Sequence, residues 1–484
     1  MPVNAVKRVA KNSFITIAAR AINLPFSLLS LALVARYLSR DLFGEYIFVM
    51  AFVTLFEVFT DMGYNSILVR EIARAKNQLR KLIGTAIVAK FFIALLTFTI
   101  IFVSVHVLGM IIQVSPVMKK AIYILGFAVC VDFFTDIVIS TVRAHEQMEY
   151  EAFIITFNSI SSVLLIATVV ILNLGFLYIF WARLYSSALT MGLSLFIYTK
   201  KFGSLHVHQD RELGKYLVKE SLPLGIGQVI DRFYSKTNFI LIRTIRSVTE
   251  VGFYGGAYRI VEQLSLIAVS IVTAVFPLFS VLSQSSRSSL ALAHEKTFKV
   301  LAIISLPIVV ILSCLSEKIT GIVFGTHLIE IAQPLKVLSF AVFLTFSNLL
   351  FKFTLSAIHR QTVYKRNVLI SFFVNLLLSL LLIPRYGYMG ACAVALVSSG
   401  FLFMLGHYSV RKYLPGVSLV TALVKPVIGS LVMALVVILM RHLNVFVVGL
   451  SGIIVYVLTL IVLKTVTSDE INTLKRTTIP IQGE

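Results

Sequence analysis

A chain of 484 residues that is 58% hydrophobic and only 13% charged, with mean hydropathy +0.94, cannot present its surface to water, because soluble domains carry about 25% charged residues. The net charge of +21 follows from the excess of Lys and Arg that cytoplasmic loops of membrane proteins carry, so nucleic acid is not an expected partner. Apolar runs recur from residue 13 to residue 466, each near the roughly 20 residues that a bilayer-crossing helix needs, and open sheets cannot satisfy their backbone in lipid.

The expected fold is an all-α polytopic membrane protein with about fourteen transmembrane helices. The first span, 13–34, follows the basic flank "VKRVAK". Its apolar part is too long for a signal peptide and lacks a small-x-small cleavage site, so it reads as a span. It holds Arg20, nine residues beyond Lys11 and therefore about 13 Å deeper, with the helix-bending Pro25 just after it. An ionised side chain at mid-span costs roughly 2.5–3.5 kcal/mol and usually faces a cavity or a partner. After the turn "ARYLSRDLFGEY", the second span, 44–66, carries Glu57 and Asp61. The basic stretch "REIARAKNQLRK" reads as anchoring on anionic lipid, with attraction of an anionic headgroup as the alternative.

Lys90 lies in the third span, 84–108, and Asp132 and Asp136 in the fourth, 120–142. Both carboxylate pairs are spaced i, i+4, which places each pair on one helix face. Such a pair either binds a proton or Na⁺ or locks to a base such as Lys90 or Arg20. The fifth and sixth spans, 152–173 and 176–199, add Arg183. A charged segment follows, in which His206 and His208 read as solvated loop. The seventh span, 220–242, holds Asp231, Arg232 and Lys236, and the eighth, 253–280, holds Arg259 and Glu262, three apart and able to pair. The remaining spans run 299–317, 334–356 with Lys336 and Lys352, 368–384, 388–410, 421–440 and 446–464. Lys425 sits near a span end and snorkels. Cys130, Cys314 and Cys392 are too scattered for a disulfide framework or a zinc site. There is no G-x-x-x-x-G-K-[ST] nucleotide loop.

Shifting the sequence by 208 positions aligns Lys11 with Lys219, Ser13 with Ser221, Ser27 with Ser235, Ser39 with Ser247, Gly44 with Gly252 and Tyr46 with Tyr254. Each copy would hold six spans, an even number, so the two would form lobes related by an axis along the membrane normal. The expected divisions are a first lobe at 1–203, a cytoplasmic linker at 204–219, a second lobe at 220–412, two extra spans at 413–466 and a cytoplasmic tail at 467–484.

The segments "ARYLSRDLFGEY", "DMGYNSILVREIARA" and "IPRYGYMGACAVALVSSG" resemble the polysaccharide-transporter branch, including O-antigen flippases, of the multidrug/oligosaccharidyl-lipid/polysaccharide flippase superfamily. The resemblance implies movement of a polyprenyl-diphosphate-linked oligosaccharide to the outer face by alternating access, with no covalent chemistry, no cofactor beyond a coupling H⁺ or Na⁺, and no metal. It also implies a monomer in the cytoplasmic membrane, both termini inside, among membrane lipids, alongside a polymerase or ligase of the same pathway. Arg20 and Arg259 are similar in placement to cavity arginines of lipid II flippases. The expected diphosphate ligands are Arg20, Arg232, Lys236 and Arg259; the expected ion-coupling residues are Glu57, Asp61, Asp132 and Asp136. The competing reading, an ion-coupled exporter of small organic cations, would need an acidic cavity. An enzyme of the same pathway would need a large outer loop.

Overall fold

The computed structural model describes residues 3–205 and 210–465; within it the side chains of residues 3–11, 13, 14, 16, 17 and 20 lie outside the described set. His206, His208 and the tail at 467–484 therefore lie outside the described residues. The helices are α1 Val3–Tyr37, α2 Arg40–Asp61, α3 Tyr64–Arg74, α4 Leu79–Ile111, α5 Pro116–Ala144, α6 Met148–Ile171, α7 Phe176–Phe202, α8 Arg211–Ile245, α9 Val248–Ser285, α10 Arg287–Cys314, α11 Ser316–Phe324, α12 Ala332–Ala357, α13 Gln361–Tyr413, α14 Val420–Leu439 and α15 Val445–Val462.

Short side chains start several of these helices by accepting from an orphan amide of the first turn. Ser115 accepts from Met118 N at 3.1 Å, with Pro116 at the first helical position, and Ser247 accepts from Glu250 N at 3.2 Å. Met62 and Gly63, with φ of 41° and 79°, stop α2 in left-handed backbone and redirect the chain into α3. The second span thus ends in a break, and α3 becomes a separate helix whose buried face is Tyr64, Ile67, Leu68 and Ile72. The eleventh and twelfth spans form the two limbs of α13, which bends at Gly387 (φ 57°, ψ −138°) just after Pro384. Tyr388 N, freed by the bend, donates to Glu250 Oε2 at 2.8 Å.

Every expected span coincides with a helix or with a limb of α13. Among the described residues, 10 helices are long and apolar enough to cross a membrane, α13 counted once. Side chains such as Phe91, Phe92, Leu95 and Leu96 on α4, and Leu450, Ile454 and Leu458 on α15, are exposed, as lipid-facing residues must be when the surrounding solvent is hydrocarbon.

Packing follows a two-fold pattern. In one half α1 packs on α6, α5 on α7 and α2 on α5; in the other α8 packs on α13, α12 on α13 and α9 on α12. Between the halves α1 meets α9, α8 meets α2, and α2 meets α9, as an axis exchanging α1 with α8 and α2 with α9 requires. The repeat twins Gly44 and Gly252 meet there: a Cβ on Gly44 would lie 2.1 Å from Val248 O, and one on Gly252 would lie 3.0 Å from Gly44 Cα. The twins Asp41 and Thr249 are hydrogen-bonded, Thr249 Oγ1 donating to the carboxylate. Arg40 reinforces this end through Glu330 at 2.8 Å and the carbonyl of His327 at 2.6 Å. At the opposite end α3 packs on α8, where Gly63 N donates to Gln228 Oε1 at 3.1 Å and a Cβ on Gly225 would lie 2.6 Å from Met62 O. The lobes therefore touch at both ends. The final hairpin, α14 and α15, leans on α10, with Tyr456 donating to Ile303 O at 3.0 Å.

Candidate functional site

Between the two contact zones lies a cavity of about 210 Å³ on the seam of the lobes. Helix α1 contributes Ser27 and Ser30, α2 contributes Tyr46 and Met50, α6 contributes Asn158 and Ser162, α7 contributes Arg183, and α9 contributes Arg259 and Gln263. Polar side chains at mid-span face such a space because lipid offers them no partner. Among the described residues, the charged side chains of its lining are Arg183 from the first lobe and Arg259 from the second. Tyr46 stands within electrostatic reach of both.

Behind Arg183, inside the first lobe, a second cavity of about 300 Å³ is lined by Glu57, Thr60, Asp132, Thr135, Asp136, Asn158 and Thr190. The i, i+4 spacing does put Asp132 and Asp136 on the same face of α5, but different cations hold them. Arg183 Nη2 lies 2.7 Å from Asp132 Oδ2, and Lys90 Nζ lies 3.6 Å from Asp136, which also accepts from Asn65 Nδ2 at 3.2 Å. The Asp61 carboxylate accepts from Asn65 N at 2.9 Å in the first turn of α3 and from Gln228 Nε2 of the second lobe at 3.5 Å. Glu57 has no ion pair among the described residues, although Arg232 and Arg183 lie within electrostatic reach.

Inside the second lobe a third cavity, also about 300 Å³, is lined by Asp231, Glu262, Lys352, Asn348, Asn375 and four tyrosines, Tyr234, Tyr254, Tyr258 and Tyr364. Glu262 is shared by Lys236 at 2.8 Å and Arg259 at 3.4 Å. Lys236 is fully buried and sits 5.1 Å from the centre of the Tyr258 ring, a cation–π contact that helps offset its desolvation. Lys352 pairs with Asp231 at 2.8 Å.

The candidate residues thus separate by place. Arg259 faces the central cavity. Lys236 is committed to Glu262 in the second-lobe interior. Arg232, beside Asp231 on α8, lies within electrostatic reach of Glu57 and Glu262 and has no ion pair among the described residues. Arg20 falls on α1, but its side chain lies outside the described residues. Lys336 and Lys425 are exposed. The spacing of charges along the sequence singled out neither Arg183 as a cavity residue nor Lys352 as the partner of Asp231. Each partner lies on a distant helix, and periodicity along one helix carries no signal for pairing between helices.

A family model described as a polysaccharide biosynthesis protein matches residues 9–283, more than half of the chain. An uncharacterized membrane protein of Methanocaldococcus jannaschii is 26% identical over 217 residues, 44% of this chain and 43% of that protein. A probable low-salt glycan biosynthesis flippase, Agl15 of Haloferax volcanii, is 25% identical over 190 residues, 36% of this chain and 38% of that protein. The chain thus spans about two fifths of the length of these curated relatives, 43% and 38%. Among solved structures, the lipid II flippase MurJ in an inward closed conformation superposes with a TM-score of 0.74 at 17% identity, over 93% of this chain and 97% of that one. An inward-facing multidrug resistance transporter of the MATE family superposes at 0.65 with 13% identity, over 82% and 98%. These likenesses establish the shared fold.

Proposed function

The chain belongs to the polysaccharide biosynthesis protein family, and from that membership we propose that it is a flippase for a polyprenyl-diphosphate-linked oligosaccharide. The observation that carries the reading is the sorting of charge. Arginines from both lobes line the seam cavity, while Asp132, Glu262, Asp231 and Asp136 are set back in the lobe interiors. A diphosphate is best held by guanidinium forks, which match its oxygens pairwise. A cavity built for organic cations would show the reverse sorting. The headgroup enters from the cytoplasmic side, the lobes rock about the α2–α9 and α3–α8 contacts, and the headgroup leaves outside with no bond made or broken. The polyprenyl tail stays in lipid.

Glu57, without an ion pair among the described residues and lining the first-lobe cavity, is the carboxylate best suited to take up a coupling H⁺ or Na⁺ on the empty return. In this reading both termini are cytoplasmic, and a polymerase or ligase of the same assembly route consumes the flipped product. The test is transport in proteoliposomes of a fluorescent polyprenyl-diphosphate sugar, followed by its accessibility to quencher from each side. Arg259→Ala and Arg20→Ala are each expected to slow it about ten-fold or more, the worth of one charge-assisted contact. Wild-type rates in both variants would remove the arginines from the mechanism.

A further inference from the structure

Arg183 differs from Arg143, another paired arginine of the first lobe, in a way that bears on ligand binding. Arg143, near the end of α5, grips Glu151 with two parallel bonds, Nε to Oε2 at 2.8 Å and Nη2 to Oε1 at 2.5 Å. That fork uses both carboxylate oxygens and is a fixed strut. Arg183 gives Asp132 a single bond, Nη2 to Oδ2 at 2.7 Å, and spends Nη1 on Asn158 Oδ1 at 3.1 Å. The other carboxylate oxygen, Asp132 Oδ1, is buried without a hydrogen-bond partner among the described residues. A buried carboxylate normally gathers donors for both oxygens, so this pair is built one-sided. Arg183 and Asn158 border the seam cavity, and Asp132 and Asn158 border the first-lobe cavity. Arg183 stands in the wall between the two.

We propose that Arg183 is a further diphosphate ligand, contributed by the first lobe opposite Arg259, and that Asp132 is its built-in competitor, an internal anion holding the guanidinium until a diphosphate arrives. This rests on the flippase reading and adds to it a specificity residue and its leash. The second lobe repeats the arrangement: Glu262 holds Arg259 at 3.4 Å, a loose contact, while its firmer bond goes to Lys236 at 2.8 Å. Each lobe thus offers a seam arginine tied to a carboxylate of its own, by a single 2.7 Å bond in the first lobe and a 3.4 Å contact in the second. A dianionic diphosphate that bridges both arginines draws both ties toward the seam and links the lobes. A monophosphate of the same tail length has one phosphoryl group, offers fewer acceptor oxygens for the two forks and competes less well with two carboxylates. The leash sets a threshold for binding and so makes the cavity selective for a headgroup with two phosphoryl groups.

The experiment measures affinity of the full-length protein in detergent micelles for geranylgeranyl diphosphate, with geranylgeranyl monophosphate as the comparison, by calorimetric titration. Arg183→Gln is expected to weaken diphosphate binding about ten-fold. Asp132→Asn is expected to tighten it several-fold by releasing the competitor, with the larger gain for the monophosphate. In an Arg183→Gln background, Asp132→Asn is expected to change nothing, because the leash acts only through the arginine. The double variant joins two amides at the same site, and its thermal melt checks that the fold survives. Equal tightening by Asp132→Asn with and without Arg183 would show a bulk charge effect and overturn the leash. Unchanged affinity in a stably folded Arg183→Gln protein would overturn the ligand role. A wild-type protein that binds neither probe would overturn the flippase reading together with this one, whereas diphosphate binding indifferent to Arg183 and Asp132 would overturn this one alone.

Discussion

Gly44→Ala places one methyl group where the lobes touch at the N-terminal ends of α2 and α9. The new Cβ would lie 2.1 Å from Val248 O and 2.7 Å from Val248 C, well inside the normal packing distance of about 3.5–4.0 Å. Both obstacles are backbone atoms, so no rotamer change relieves the clash, and α2 and α9 must separate. Overpacking of this kind costs about 1–3 kcal/mol. The cost falls only on the state in which these ends meet, so the equilibrium shifts toward separated ends by about 5- to 150-fold. Spin labels at the exposed positions Leu42 and Thr244, in a chain whose Cys130, Cys314 and Cys392 are replaced by serine, report the separation by pulsed dipolar spectroscopy. Wild type is expected to show a dominant short distance, and Gly44→Ala a dominant or strongly enlarged long one. Gly252→Ala, whose Cβ would meet Gly44 Cα at 3.0 Å, is expected to give a weaker shift in the same direction. An unchanged distance distribution in Gly44→Ala, with the protein folded, would refute the claim that these two glycines define the closed contact between α2 and α9.

Breaking the buried pair by Lys236→Met leaves Glu262 with only the looser Arg259 contact, and is expected to cost about 3–5 kcal/mol in detergent unfolding. The double change Lys236→Met with Glu262→Leu is expected to recover most of it, which a thermal melt reads directly. Outside the membrane, Asp210 caps α8 by accepting from Leu213 N at 3.0 Å and lies 2.7 Å from Lys81. The Leu213 amide, then Lys81, hold its carboxyl below the usual range. A depressed folded value means that its support is present above the ordinary carboxylate pKa and fades as pH falls through the folded one. Protection of the first turn of α8 from hydrogen exchange is therefore expected to drop on acidification in wild type, and to be low at all pH values in Asp210→Ala.

The helices were legible because lipid imposes one demand, a long apolar run, and the sequence meets it at most of the expected spans. The split of α13 was legible for a similar reason: Pro384 and Gly387 interrupt the run where the chain turns. The duplication was visible in Gly44, Gly252, Tyr46 and Tyr254, and the structure gives the matched glycines a physical cause, since both sit on the axis where the lobes meet. Charge was harder to read. The pairing of Arg259 with Glu262 followed from their spacing on one helix, and Lys90 was a natural partner for a carboxylate on α5. The bond from Arg183 to Asp132 crosses 51 residues and that from Lys352 to Asp231 crosses 121, so only the packing of helices brings these partners together. Asp61 lies in the pattern of a paired carboxylate, and the break at Met62 and Gly63 sets its oxygens beside Asn65 N and Gln228 of the second lobe. Within-helix spacing says which face a charge occupies, and the neighbouring helix decides what it meets there.

The central claim, that the seam between the lobes carries a polyprenyl diphosphate across the membrane, is tested most directly by headgroup discrimination in proteoliposomes of the wild-type protein. Fluorescent polyprenyl-diphosphate sugar, the corresponding monophosphate and a cationic dye are offered on one side, and their arrival on the other is timed. The account predicts transfer of the diphosphate, slower transfer of the monophosphate and none of the dye. Transfer of the dye with the diphosphate left behind would contradict it.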